Sequence, residues 1–116
     1  MDWHQLSDDD IIDIISPLIN SCLEGSTTRD HAKHVADFTQ RLKVIVTEEN
    51  LSRQCDAYQE ELGYFKEWHL VALFRRTHSL AATWRLSFTK THDEYVLEAS
   101  FVYRDGRLQI DHCMIF

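Results

Sequence analysis

The sequence predicts an α+β fold, with three N-terminal helices packed in the hollow of a curved antiparallel sheet and a four-strand meander at the C-terminus. Three observations carry this expectation. Up to Leu62, apolar residues recur at helical spacing in runs preceded by Ser or Thr. From Tyr64 to Phe116 the apolar period drops to two. Turn-forming residues then divide that second stretch, and Asp105–Gly106 is a strong two-residue hairpin signal.

The elements follow in order. Ser7 can cap a first helix, and Asp8, Asp9 and Asp10 place negative charge at the positive end of its dipole. Ile11, Ile14, Ile15, Leu18, Ile19 and Cys22 form its apolar stripe, and Gly25 is expected to stop it. Pro17 removes a backbone donor inside this run, so a kink or a break is expected at Ser16–Pro17. A second helix is expected from Thr27 or Thr28 to about Gln40. Its buried stripe would be His31, Val35, Phe38 and Leu42, and its wet face Asp30, His34, Asp37 and Arg41. The β-branched segment Leu42 to Val46 reads as a short strand. Thr47 caps a third helix with Glu48 and Glu49 in its first turn. Leu51, Cys55, Tyr58 and Leu62 line that helix, and Gly63 suits a left-handed stop.

In the meander, closing Asp105–Gly106 pairs Arg104 with Arg107, Tyr103 with Leu108, Phe101 with Ile110, Ala99 with His112 and Leu97 with Met114. A turn at Lys90 to Asp93 pairs Phe88 with Tyr95, Leu86 with Leu97 and Trp84 with Ala99. The first hairpin, through Thr77–His78–Ser79, turns Phe74, Ala72, Leu70 and Trp68 inward. A one-residue slip would substitute Leu73, Val71 and His69. The opposite face places Arg85 across from Glu98 and carries Val96, Val102, Cys113 and Ile115. A partly apolar outer face calls for a cover, most simply a second copy of the chain, so a homodimer is expected.

Composition bounds the function. A chain of 116 residues, 44% apolar, forms one domain spanning residues 1–116 with a single core. The net charge of −7, with scattered Lys and Arg, disfavours a nucleic-acid partner. Met1 to Asp10 is acidic and lacks the apolar core of a secretory signal, and no stretch reaches the roughly 20 apolar residues of a membrane span. The 3 cysteines form no CxxC pair and read as reduced packing residues of a cytoplasmic protein. No Gly-rich phosphate loop or serine nucleophile elbow is present. His31 and His34 fall on different helical faces without a further ligand, so neither a metal nor another cofactor is expected.

This register sets Ala72, Trp84, Ala99 and His112 side by side on the inner face. Two small residues beside a large flat one and a titratable one describe a concavity for a ligand. His112 there is open to three roles. It is a core histidine bonded to a backbone carbonyl or to Tyr58, a ligand contact, or a proton-transfer group. His31 is a rim residue or a second polar contact, while Trp68, Tyr58 and Phe38 are core or pocket lining. No carboxylate falls on the inward face, since Asp111 and Glu98 point outward in this register.

The order of elements is similar to that of the nuclear transport factor 2-like superfamily. The nearest local patterns are Asp37-Phe38-Thr39, Thr47-Glu48-Glu49, Leu62-Gly63-Tyr64-Phe65 and the run from Phe101 to Leu108. The resemblance implies a cystatin-like α+β cone, shared with ketosteroid isomerases and polyketide cyclases. It also implies a pocket between helices and sheet and dimerisation through the outer sheet face. The leading expectation is a binder of a small, largely apolar molecule. The alternatives are an isomerase, cyclase or dehydratase using His112 as acid or base, and an interaction module whose cavity is filled by its own side chains.

Overall fold

The computed structural model describes residues 1–116. A 3-10 turn at Trp3–Gln5 and four α-helices precede the sheet: α1 (Asp8–Thr27), α2 (His31–His34), α3 (Gln40–Ile45) and α4 (Glu48–Glu61). The strands β1 (Phe65–Arg75), β2 (Leu80–Phe88), β3 (Tyr95–Arg104) and β4 (Arg107–Ile115) form one antiparallel meander in sequence order. No helix is long and apolar enough to cross a membrane.

The caps form as the sequence predicts. Ser7 accepts from the Asp10 amide and Thr47 from the Asn50 amide. Gly63 ends α4 in the left-handed region at φ +87°. The helix α1 runs unbroken through Pro17, which sits on its exposed side where water can satisfy the freed carbonyl. Nor does Gly25 stop it. The helix continues to Thr27, and the chain reverses at Arg29, whose φ is +57°.

The predicted second helix is reduced to the single turn of α2. Residues beyond it are drawn to the sheet, where Phe38 makes a parallel bridge with Ile110. The Ile110 amide donates to Asp37 O at 2.7 Å, and the Thr39 amide donates to Ile110 O at 2.9 Å. Backbone groups spent on β4 are lost to a helix. Thr39 then caps α3, so the expected strand at Leu42 to Val46 is helical instead as far as Ile45, with Val46 as its C-cap. Here the cap outweighs the β propensity of Val44, Ile45 and Val46.

The core lies between α1 and the inner sheet face. Ile11, Ile15 and Ile19 are at most 1% exposed and pack in one cluster with Leu80, Ala82, Leu86, Leu97 and Phe101. Each isoleucine, leucine or phenylalanine among them contributes roughly 1.5–3 kcal/mol of burial free energy. Arg75 straps the N-terminus beneath β1, donating to Trp3 O, Leu6 O and the Asp8 carboxylate.

Strand register departs from expectation in three places. At the Asp105–Gly106 hairpin both central residues have positive φ, and Arg104–Arg107, Tyr103–Leu108 and Phe101–Ile110 pair as predicted. A bulge then inserts Asp111, so Ser100 faces His112, Ala99 faces Cys113 and Leu97 faces Ile115. The face of β4 therefore inverts beyond Ile110. In the β2–β3 pair, Trp84 lies opposite Leu97 and Ala82 opposite Ala99, two residues from the predicted register. Its loop is longer than a tight hairpin because it is anchored elsewhere. The Thr89 amide donates to Tyr64 O and the Lys90 amide to Leu62 O, both at 2.9 Å. Arg85 accordingly pairs with Glu94 at 2.7 Å rather than with Glu98. Along β1 two bulges keep Trp68 and Leu70 inward opposite Leu86 and Trp84. They turn Leu73 inward opposite Ala82, leaving Ala72 and Phe74 opposite Thr83 and Ala81 on the outer face.

Candidate functional site

The helix α4 hangs from the last turns of α1. Tyr58 Oη lies 2.8 Å from Ser26 Oγ, Cys55 Sγ donates to Ser26 O at 3.2 Å, and Arg29 pairs with Asp56. This suspension, with α2 and α3 closing the side, leaves a cavity of about 630 Å³ above β4 and the strand ends. Of its 22 lining residues 16 are hydrophobic, which suits a ligand with an apolar body. One end is aromatic. Tyr58 stacks on Phe65 at 5.1 Å between centroids, and Phe88 meets Tyr95 edge-on at 5.1 Å. Cys22, Leu23 and Leu42 form the helical wall, Phe38 enters from its bridge to Ile110, and Cys113 and Ile115 rise from β4.

Of the predicted site residues, Phe38, Tyr58 and His112 line this cavity. The row Ala72, Trp84, Ala99 and His112 does not exist as a row. Trp84 and Ala99 stay on the inner face but are 5% and 2% exposed within the packed core, two residues out of register with one another. Ala72 is on the outer face, carried there by the β1 bulge. Trp68 borders a separate recess of about 300 Å³ between β1 and α1. His31 Nε2 lies 2.8 Å from Val46 O, which joins α2 to the end of α3.

His112 borders the cavity, but the Asp111 bulge sets its ring on the outer face. There Nε2 lies 2.9 Å from Glu98 Oε1, and the side chain is 42% exposed. Asp111 itself accepts from Thr39 Oγ1 at 2.8 Å and from Arg41. Partial burial opposes ionisation of this carboxyl, yet the Thr39 and Arg41 bonds prevail and hold it below its ordinary range.

The residue missed from sequence is His34, assigned there to a wet face. Its ring lines the cavity and meets Phe38 edge-on at 5.3 Å. Its Nδ1 lies 2.7 Å from Cys22 O, and a carbonyl only accepts, so Nδ1 carries the proton. Burial pushes the His34 pKa down, outweighing the Cys22 bond, and nearby His31 lowers it further. The signal was Gly25. A Cβ there would sit 2.4 Å from His34 N, so only glycine lets α2 settle directly on α1. Cys22 is buried beside Cys113, and that neighbouring thiol together with burial pushes the Cys22 thiol well up, away from a reactive thiolate.

Known structures match this architecture. A protein of unknown function with a cystatin-like fold from Nostoc punctiforme superposes with a TM-score of 0.63 at 13% identity, over 99% of this chain and 93% of that one. The chain has a cystatin-like α+β fold. A nuclear transport factor 2-like protein of unknown function from Shewanella oneidensis gives a TM-score of 0.55 at 14% identity, covering 89% of this chain and 96% of that one. A SEC-C motif containing protein from Rhodopseudomonas palustris gives 0.56 at 13% identity over 89% of each chain. No protein-family model matches the sequence, and no curated protein matches it.

Proposed function

We propose that the protein is a single nuclear transport factor 2-like domain that binds a small, largely apolar molecule between its helices and the end of its sheet. The observation that carries this reading is the cavity of about 630 Å³ with its predominantly hydrophobic lining. Pockets for drug-sized ligands span roughly 300–1,000 Å³ and combine such a lining with few polar groups. Phe38 and Tyr58 would contact the ligand, joined by His34, Leu42 and Phe65.

Nile red, an uncharged dye that brightens in apolar surroundings, tests the reading. It should bind at one site per chain, and Ala57→Trp should abolish that binding without lowering the thermal midpoint. Ala57 is exposed and lines the cavity from α4, so an indole there occupies the void rather than the core. Dye binding that survives Ala57→Trp unchanged would sink the reading.

A homodimer through the outer sheet face is the accompanying assembly. It is favoured by Val71 and Phe74, 61% and 49% exposed on that face of β1.

A further inference from the structure

Six polar residues line the cavity wall: Ser26, His34, Arg41, Asn50, Gln54 and His112. Five of them are engaged within the protein. Ser26 Oγ lies 2.8 Å from Tyr58 Oη, and Arg41 is turned onto Asp111. Gln54 Nε2 donates to Asn50 Oδ1 at 2.7 Å, an exposed bond that leaves the remaining amide groups of both to solvent, and His112 lies 2.9 Å from Glu98. The Tyr58 hydroxyl also accepts from Gln59 Nε2 at 3.2 Å, so it is satisfied as well. His34 differs. With its Nδ1 proton committed to Cys22 O, Nε2 carries a lone pair, and no protein group donates to it. No unsatisfied side-chain nitrogen or oxygen is sealed inside the protein, so Nε2 has open surface, on a ring that lines the cavity.

We infer that His34 Nε2 is the polar anchor of the pocket and that the ligand is an apolar alcohol or phenol donating its hydroxyl hydrogen to that nitrogen. This rests on the binding reading above and names its ligand class. An acceptor-only anchor is selective. A ketone, an ether or a carboxylate would set lone pair against lone pair, and a bare hydrocarbon would leave Nε2 desolvated and unpaired. Sites built around one hydrogen bond to a hydroxyl discriminate strongly against analogues that lack it. The Tyr95 hydroxyl both donates and accepts, so it does not offset that preference. His34 is held in place from behind by Gly25 and from the side by Phe38, so the lone pair is preorganised.

Fluorene, 9-fluorenol and 9-fluorenone share one tricyclic skeleton and differ only at the carbon to be recognised. Their affinities, measured by displacement of Nile red from the full chain, decide the question. 9-Fluorenol should bind about tenfold more tightly than either analogue. His34→Phe should erase that preference while leaving fluorene binding within about twofold. In the natural protein, nitrogen-15 spectra should show His34 protonated at Nδ1, with the Nε2 resonance shifting on addition of 9-fluorenol and not of fluorene. Fluorenone binding as tightly as fluorenol, a preference that survives His34→Phe, or an unmoved Nε2 resonance overturns the anchor. Fluorene binding without alcohol preference leaves the pocket standing and removes only the anchor. Failure of the dye and all three compounds to bind removes both.

Discussion

Gly25 and His34 form one structural unit although they stand nine positions apart in the chain. A methyl group at position 25 would meet the backbone N and Cα of His34 at 2.4 and 2.6 Å, and backbone atoms of a packed turn have nowhere to go. Gly25→Ala should therefore cost about 1–3 kcal/mol, despite alanine's better helix propensity, and lower the thermal midpoint. The neutral imidazole has a second consequence. Because burial holds the folded pKa of His34 below its ordinary 6.5, the unfolded chain binds more protons between those two values. Stability then rises with pH through that window and is flat above it, and the contribution is lost as pH falls through the folded value. Urea unfolding at pH 5 and pH 7.5 should show less loss on acidification in His34→Phe than in the natural protein. An equal loss in both would refute this linkage.

At the scale of elements, patterns that alternate visibly were legible and those blind to alternation were not. The Asp105–Gly106 hairpin, the caps Ser7 and Thr47 and the Gly63 stop are local chemistry, and each appears where the sequence places it. The Asp111 bulge also had a trace: Leu108 and Ile110 are apolar two apart, then Cys113 and Ile115 resume after a gap of three. That phase change, not a greasy outer face, explains two of the four apolar residues assigned outward. The β2–β3 register was different. A slip of two residues keeps every side chain on its face, so no hydrophobic pattern can detect it. What fixes it is the tie of Thr89 and Lys90 to the α4–β1 junction, a long-range contact. The cavity suffered the same limits, since Tyr58 follows from the helical spacing of α4, whereas Phe38 reaches the cavity from its bridge to Ile110 and His34 depends on a chain reversal. The bulge itself is secured by Asp111, so Asp111→Ala should cost about 1–2 kcal/mol by freeing the buried Thr39 hydroxyl and Arg41. Hydrogen exchange should quicken at the Thr39 and Ile110 amides ahead of the rest of β4. Unchanged protection at both would show that the bulge stands without its carboxylate.

At the scale of the whole molecule, the sheet has one covered face and one open one. Helix α1 and its neighbours occupy the inner face, while β1 presents Val71 and Phe74 to solvent on the other, with Val102 half-buried farther across. Ile115 faces inward past the bulge, opposite Leu97, and adds nothing to this surface. The outer face is not uniformly apolar. Arg85 with Glu94 supplies an ion pair, and His112 with Glu98 a polar contact, that can stay solvated at a rim. A two-fold arrangement that buries Phe74 against its symmetry mate gives such a face a self-complementary partner. Phe74→Glu would then oppose two carboxylates across the axis and convert a dimer to a monomer. Light scattering at micromolar protein should read twice the chain mass for the natural protein and one chain mass for the variant. Nile red binding should be equal in both, because Phe74 is not among the residues that line the cavity. A natural protein that is already monomeric, or a variant that keeps the dimer mass, would remove the outer face from consideration.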